Sequence, residues 1–450
     1  MPVLLQPFVN IFGDMNPARH ILLLGAGKSA TVLIDYLKEQ VSDRNWQLTV
    51  ADHDLALASG KVGMHANARA VQLDILDLTR RHELISEADA VISMLPPALH
   101  LLVAKDCLAL SKHLLTASYI DPELKTFEED IRNKDLLFLC EMGLDPGIDH
   151  MSAMQLIHEI SNAGGFIRSF KSHCGGLVAP ESDNNPWHYK ISWNPRNVVL
   201  SGKAGAVWRE GGATKERTYP NMFSNCEEVN IDGLGKLAWY PNRDSLGYID
   251  TYGLNSVDTF LRTTLRYPDF CNGWNWIVQL KLTDETIVYP TDRIRIKTFL
   301  QQHLQHHQLN FSIATLNDPV VQEQFRFLGF DSDETLDRGN CTAADIMQYL
   351  LEKKLALQPE DKDMIVMLHE IEYELKGKTH SIKSSLVVKG ENSLHTAMAK
   401  TVGLPLGMAT ILLLEGKIPE RGLHIPIAPA IYQPVLTELA KRGISFNSSF

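Results

Sequence analysis

Cysteine is sparse and never paired. The six in 450 residues (Cys107, Cys140, Cys174, Cys226, Cys271 and Cys341) stand far apart, with no C-x-x-C among them. This argues against a cysteine-based structural zinc site. It also suits a reducing compartment, so a cytoplasmic location is expected. Basic runs are missing as well. Lys and Arg number 43 against 54 Asp and Glu, a formal charge of −11. Such a chain is unsuited to nucleic acid or to an anionic membrane surface. No apolar run reads as the roughly 18 residues that span a bilayer, so no membrane partner is expected. Repeats and low-complexity tracts are lacking. The apolar Val3-Leu4-Leu5 and Phe8-Val9-Asn10-Ile11-Phe12 follow no basic residue and precede no small-x-small cleavage site. A signal peptide is therefore not expected. The fold should begin near Arg19, with residues 1–14 dispensable and Met15 able to serve as a start.

What is present is enough chain for two or three domains. The first third alternates short apolar strands with helices. His20-Ile21-Leu22-Leu23-Leu24 reads as a buried strand, followed by Gly25-Ala26-Gly27-Lys28-Ser29-Ala30 and a helix through Val32, Leu33, Ile34 and Leu37. This is G-x-G-x-x-A in the strand–turn–helix setting of a dinucleotide fingerprint. Gly25 permits the turn, Gly27 lets backbone approach a pyrophosphate, and Ala30 lets helix pack on strand. A second strand ends at Asp52, where a carboxylate can accept from the adenosine ribose hydroxyls and repel a 2′-phosphate. Its neighbours His53 and Asp54 supply no arginine for that phosphate. The residues thus favour NAD, with NADP possible and Lys28 the nearest compensating cation. Further strands end at Asp74, at Met94 and at Thr116. A sixth, from Leu136, runs into Cys140. Six parallel strands with right-handed crossovers make a doubly wound sheet. Asp74 and Ile75 then fall on the adenosine side. Met94, Ser118 and Tyr119 fall near the nicotinamide.

The alternation stops at Cys140-Glu141-Met142-Gly143-Leu144-Asp145-Pro146-Gly147-Ile148-Asp149-His150. This pivot reads as strand end, tight turn, then a helix from about Ile148. Pro146 suits a first helical turn, and Asp145 stands where a cap would stand. At the carboxyl ends of parallel strands such a carboxylate is either a cap or a substrate group. Leu144, Pro146 and Gly147 share that position beside the cofactor.

Beyond the pivot, Phe166 to Ser172 reads as a strand. Cys174-Gly175-Gly176 through Pro186 reads as a long irregular loop, with Lys190, Trp193 and Arg196 following, and so as a binding loop. Tyr240-Pro241-Asn242-Arg243-Asp244-Ser245 and Thr263-Thr264-Leu265-Arg266-Tyr267 place arginines among turn residues or at a helix end. Their planar forks suit carboxylates. Asp292 to about Leu357 is largely helical. His303, His306 and His307 share a face there without a carboxylate at metal spacing, so no metal is expected. Met364–Glu374 and Thr379–Lys389 read as strands. His395–Leu414 reads as an apolar helix, kinked or split at Gly403 and Pro405.

With those residues in view, the chain resembles the saccharopine reductase family, the L-glutamate-forming saccharopine dehydrogenases. The resemblance runs from about His20 to the C-terminus. It rests on the glycine loop, Ser118-Tyr119-Ile120, Gly143–His150, Cys174-Gly175-Gly176, Tyr240–Ser245, Thr264–Tyr267 and Met398-Ala399-Lys400-Thr401-Val402-Gly403-Leu404-Pro405. It implies an α/β protein: a Rossmann-like doubly wound parallel sheet over 20–145, completed by 392–450. A mixed α/β substrate and dimerisation domain would span 146–291 and 362–391, with a small helical insertion at 292–361. Residues 1–19 would be an extension. The resemblance also implies a homodimer and a reaction. Saccharopine, water and an oxidised nicotinamide dinucleotide interconvert with L-glutamate, 2-aminoadipate 6-semialdehyde and the reduced dinucleotide, through an imine.

Residue by residue, the resemblance puts Gly25, Ala26, Gly27 and Lys28 at the pyrophosphate and Asp74 and Ile75 by the adenine. Ser118 and Tyr119 would reach cofactor and substrate. Asp145, Arg243, Thr264, Leu265 and Arg266 would contact substrate. Fungal NADP-using members have Cys-Arg-Thr where this chain has Asp52-His53-Asp54, which agrees with the lean to NAD. Imine hydrolysis needs proton transfer. Asp145, Cys174 and Tyr119 are the candidates, and the pattern does not choose among them. The alternatives are a related imine reductase of the carboxynorspermidine type and a non-catalytic NAD(H)-binding sensor.

Overall fold

A computed structural model of the chain describes residues 18–449. The expected dispensable segment 1–14 and the start at Met15 lie outside the described residues. Short apolar runs bounded by turns become β1 (His20–Leu24), β2 (Gln47–Asp52), β3 (Ala68–Gln72), β4 (Ala90–Ser93), β5 (His113–Thr116) and β6 (Leu137–Leu139). They lie in the order β6-β5-β4-β1-β2-β3, all parallel. Ile21 through Leu24 are buried, as strands covered by helices on both faces require. This is the Rossmann-like doubly wound sheet.

The six expected strands are joined by a seventh. Gly422–His424 pairs in parallel with β6 at the sheet edge. Three residues are too few to carry a period, so only the pairing reveals it. The helix Ala397–Leu414 also packs on this domain. Its Gly403 approaches Leu33 and its Gly407 approaches Tyr36, both on the helix Thr31–Arg44. The expected split is not there: the helix is continuous through Pro405. Its 18 residues are long and apolar enough to cross a membrane by length and composition, but 78% of them are buried inside the fold. The apolarity is that of a core helix.

The second sheet has ten strands built around β7 (Phe166–Val178). Strand Thr259–Arg266 pairs with β7 in parallel on one side, and Asp363–Leu375 pairs antiparallel on the other. Two expectations are corrected here. Cys174-Gly175-Gly176 is strand, not loop. A Cβ on Gly175 would overlap the Leu265 carbonyl, so glycine there serves close approach of neighbouring backbone rather than a turn. Thr263 to Arg266, read as turn or helix end, is also strand. Asn447–Ser449 pairs with Lys378–Lys389, so the end of the chain returns to this sheet rather than staying with the first domain.

Residues 292–361 carry the helices Ile296–His306, Pro319–Leu328 and Ala343–Lys354. Phe299, Phe325 and Leu350 share a core with Trp187, Phe270 and Trp274. His303 is buried there, bonded to the Tyr289 hydroxyl and the Leu280 carbonyl, each at 2.9 Å. Side-chain alternation sorts the second sheet into two faces. Leu261 and Leu265 join Leu177, Val366 and Leu368 in an apolar layer. Arg262, Thr264 and Arg266 point the other way, Arg262 toward Asp145 beyond the end of β6 and Arg266 against Tyr189 and Phe270.

Candidate active site

The glycine loop lies at the carboxyl end of β1. Gly25 has φ +101°, and a Cβ there would press on the Met94 carbonyl, so the loop is held close to the end of β4. Its amide donates to the Ala51 carbonyl at 2.8 Å. The Ala26 amide donates to Asp52 at 2.6 Å, and the other Asp52 oxygen accepts from the Asp54 amide at 2.9 Å. Asp54 itself caps the helix Leu55–Val62. Beyond Gly27 there is open space, in which a Cβ would meet nothing. That open cradle at the start of the helical segment from Lys28 suits a dinucleotide's pyrophosphate. Lys28 and His53 are exposed at its rim. Lys61, which the sequence did not single out, donates to the Gly27 carbonyl at 2.7 Å. Asp74 and Ile75 form the turn after β3, where Asp74 accepts from the Leu76 amide at 3.0 Å.

At the pivot the structure decides what Asp145 is. The cap role is overturned. Asp149 accepts from the Gly147 amide at 2.6 Å at the start of the helix Ile148–Asn162. Pro146 lies ahead of that helix, in a turn closed by the Gly143 amide on the Pro146 carbonyl at 3.0 Å. Gly147 has φ +147°, and a Cβ there would overlap Gly143. Leu144 is buried in the core. Asp145 instead accepts from Arg262 at 2.6 Å, and the same nitrogen donates to Asp149 at 2.8 Å. Burial pushes Asp145 up to about 6, against the pull of Arg262 and with the push of Asp149. Burial acts on Asp149 too, but His150, Arg262 and the Gly147 amide outweigh it and hold its carboxyl low.

Arg262 also lies 4.5 Å from the Tyr248 ring centre. Tyr248 donates to Glu141 at 2.8 Å, Glu141 bonds His150 at 2.9 Å, and His150 bonds the Tyr252 hydroxyl at 2.6 Å. Glu141 and His150 are buried. This network joins the end of the first sheet to the second domain.

The next inward-facing arginine of that strand is different. Arg266 is only 3% exposed. Its guanidinium donates to the Leu265 carbonyl at 2.8 Å and lies against Tyr189 and Phe270, at 5.3 and 5.5 Å from the ring centres. Its Nε has no partner. Among the described residues no carboxylate pairs with it. Arg243 is exposed and faces Tyr119 across the cleft, 5.4 Å from the ring centre. Burial pushes the Tyr119 phenol up to about 12. Among the described residues neither Arg243 nor Arg266 has a carboxylate partner.

Known proteins show the same arrangement of sequence. The family description "Saccharopine dehydrogenase C-terminal domain" matches residues 143–444, and "Saccharopine dehydrogenase NADP binding domain" matches residues 21–139. The chain belongs to the saccharopine dehydrogenase family. A relative from Saccharomyces cerevisiae named saccharopine dehydrogenase (NADP(+), L-glutamate-forming) is 33% identical over 442 residues. That match covers 95% of this chain and 98% of the relative. The mitochondrial alpha-aminoadipic semialdehyde synthase of Mus musculus is 33% identical over 458 residues, covering 97% of this chain and 48% of that protein. The chain spans about half the length of the semialdehyde synthases it matches. A solved structure of apo saccharopine dehydrogenase (L-Glu forming) from Saccharomyces cerevisiae is similar at a TM-score of 0.86 and 31% identity. It covers 96% of this chain and 99% of that one.

Within this saccharopine dehydrogenase fold the remaining expectations sort by position. Cys174 is buried on β7. Burial pushes its thiol well above its ordinary range, and Asp145 and Asp149 add to the push. Thr264 pairs with Cys174 in the strand register. The Leu265 side chain lies in the opposite apolar layer, so alternation leaves only its backbone on the side of Arg262 and Arg266. Lys190 and Arg196, expected on a binding loop, are neutralised elsewhere. Lys190 donates to Asp361 at 2.6 Å, and Arg196 donates to Glu285 at 2.6 Å and Asp345 at 2.8 Å. Arg262, Asp149, Glu141, His150, Tyr248 and Tyr252 went unassigned. Reading Thr259–Arg266 as an alternating strand would have put Arg262 beside Thr264 and Arg266. No local signal marks Tyr248.

Proposed function

We propose that this chain interconverts saccharopine, water and an oxidised nicotinamide dinucleotide with L-glutamate, 2-aminoadipate 6-semialdehyde and the reduced dinucleotide. The observation that carries this reading is Arg266: a buried guanidinium without a described counter-ion, on the same strand face as the Asp145–Arg262 pair. Burying a charge unpaired is costly, and a substrate carboxylate removes the cost. Saccharopine brings three carboxylates. Arg266 takes one and Arg243 another from the exposed rim. Gly27, Lys28 and Asp52 would hold the dinucleotide, whose nicotinamide supplies the hydride chemistry. Asp145, lifted toward neutrality by burial, takes the proton from the water that adds to the imine carbon. It returns that proton to the nitrogen and takes up the hydroxyl proton as the carbinolamine collapses to the aldehyde and glutamate leaves. Tyr119 and Cys174, both held protonated by burial, serve as hydrogen-bond donors around that carbon.

The coenzyme preference we propose is NAD over NADP. The Asp52 carboxylate is fixed at the end of β2 by two backbone amides and would repel a 2′-phosphate. The named relative uses NADP(+). We also take the protein to be a homodimer, as the resemblance implies, and cytoplasmic, the latter in keeping with its six free thiols. The test is the rise in reduced-nicotinamide absorbance with purified protein and saccharopine, run separately with NAD and NADP. Turnover favouring NAD is expected. Turnover with NADP alone keeps the reaction and overturns the reading of Asp52. Dinucleotide binding without turnover overturns the reaction.

A further inference from the structure

Two carboxylates at the pivot share one nitrogen of one guanidinium. The same Arg262 nitrogen donates to Asp145 at 2.6 Å and to Asp149 at 2.8 Å. What else each carboxylate has is unequal. Asp149 also accepts from the Gly147 amide at 2.6 Å, and His150 Nε2 lies 4.0 Å from it. Both Asp149 oxygens are therefore occupied, and its side chain is 2% exposed. Among the described residues Asp145 accepts from Arg262 alone, through one oxygen. Its other oxygen is free, and its side chain is 15% exposed.

Charge counting gives the two acids different duties. Arg262 brings one positive charge to two carboxyl groups. The other titratable groups facing Asp145 are Tyr119 from the loop beyond β5, Cys174 from β7 and His150 from the helix Ile148–Asn162. Burial keeps the phenol and the thiol protonated. Any charge on His150 is matched by Glu141 at 2.9 Å. Tyr252 and His369 face Asp149, and burial keeps the first protonated and the second neutral. Arg243 is exposed and lies against the Tyr119 ring. Among the described residues Arg262 is thus the one guanidinium bonded to the pair. When two acids meet one cation, the better-bonded acid keeps its negative charge and the other holds its proton longer. Asp149, with an amide and a guanidinium donating to it, is the first. In line with this, burial lifts Asp145 to about 6 with Asp149 adding to the push, while Asp149 is held low against its own burial.

We propose that Asp149 is a positioning residue whose fixed negative charge, beside the shared guanidinium, sets the pH range in which Asp145 exchanges a proton at its free oxygen. This rests on the reading that Asp145 moves the proton in imine hydrolysis. Asp149 carries no proton in this role. A carboxylate that only secured the helix start would leave the proton affinity of Asp145 unchanged.

The test is the pH profile of kcat/KM for saccharopine oxidation in wild type, Asp149→Asn, Asp149→Ala and Asp149→Glu. Wild type should lose activity below about pH 6. In Asp149→Asn and Asp149→Ala the guanidinium serves Asp145 alone, so that limb should move down by about one pH unit or more. Asp149→Glu keeps the charge and should return the limb toward its wild-type position, even with a lower plateau. Infrared titration of the ligand-free protein follows the same proton without turnover. The carboxyl band that Asp145→Asn removes should fade in wild type as pH rises through about 6. Absence of that band from wild type at about pH 5 shows an Asp145 already ionised. That result overturns the proposal whether or not the variants fold. A lower plateau with an unmoved limb in both Asp149→Asn and Asp149→Ala makes Asp149 a structural cap and overturns the proposal. The Asp145 reading then stands, provided Asp145→Asn lacks the limb. An equal displacement in Asp149→Glu removes charge as the cause and overturns the proposal as well. A limb that persists in Asp145→Asn overturns the Asp145 reading and the proposal together.

Discussion

Arg262 and Arg266 offer a controlled comparison. They lie on one strand face, and each is 3% exposed. Arg262 is neutralised by Asp145 at 2.6 Å and Asp149 at 2.8 Å. Arg266 has a carbonyl and two ring faces but no described carboxylate. Replacing each by Met keeps much of the volume and removes the charge. Arg262→Met strands two buried carboxylates, and such broken pairs cost about 3–5 kcal/mol of stability. Arg266→Met loses a charged hydrogen bond of about 1.5–3 kcal/mol. It also loses cation–π contacts of about 2 kcal/mol. Against these it gains relief from burying an uncompensated charge, several kcal/mol in real interiors. The terms nearly cancel, so its unfolding free energy should change by less than about 2 kcal/mol. Its KM for saccharopine should behave in the opposite sense. Losing the cation opposite a buried carboxylate costs about 2–5 kcal/mol, roughly a thirtyfold rise or more. Urea unfolding and steady-state kinetics on both variants give the two axes. If Arg266→Met is as destabilised as Arg262→Met while KM is unchanged, Arg266 is a structural cation and the assignment falls.

The other expectations concern the carboxyl, the thiol and the strand beside that pair. Because burial raises Asp145 from 3.8 to about 6, the folded state holds its proton more tightly than the unfolded state does. Ionisation is then destabilising: the penalty is absent below pH 3.8 and full above about 6. The stability of wild type relative to Asp145→Asn should fall as pH rises through that window. In saccharopine oxidation, wild-type kcat/KM should drop below about pH 6. Asp145→Asn should lack that limb and turn over about a hundredfold or less more slowly. Cys174, pushed well up by burial, should resist iodoacetamide at neutral pH, and Cys174→Ser should keep at least about a tenth of the activity. Rapid alkylation with loss of turnover would show a thiolate. Gly175→Ala drives a methyl into the Leu265 carbonyl and should lose about 1–3 kcal/mol in chemical denaturation. An unchanged midpoint would mean that the two strands separate freely.

The first domain and its cofactor loop are legible in the sequence alone. Those features are local. A buried strand, a glycine turn and a helix start are specified within a dozen neighbouring residues, and Asp52 is placed by the length of one crossover. The sequence also marked Asp145 and Arg266 as residues to watch, through the resemblance of their motifs. What Asp145 does was decided only by the tertiary structure. Its neighbours suit a helix cap, yet its carboxylate goes to Arg262, 117 positions away, while Asp149 takes the helix-start amide. Likewise Cys174-Gly175-Gly176 has the composition of a loop and becomes strand, because the Leu265 carbonyl occupies the space a side chain would need. Lys190, Arg196 and Arg266 look alike as isolated cations. Only the fold shows that Asp361 neutralises the first, Glu285 and Asp345 the second, and no described carboxylate the third. Local rules fix dihedral angles and faces. Charge compensation depends on which distant groups the folded chain brings within a few ångströms, and no window of sequence contains that.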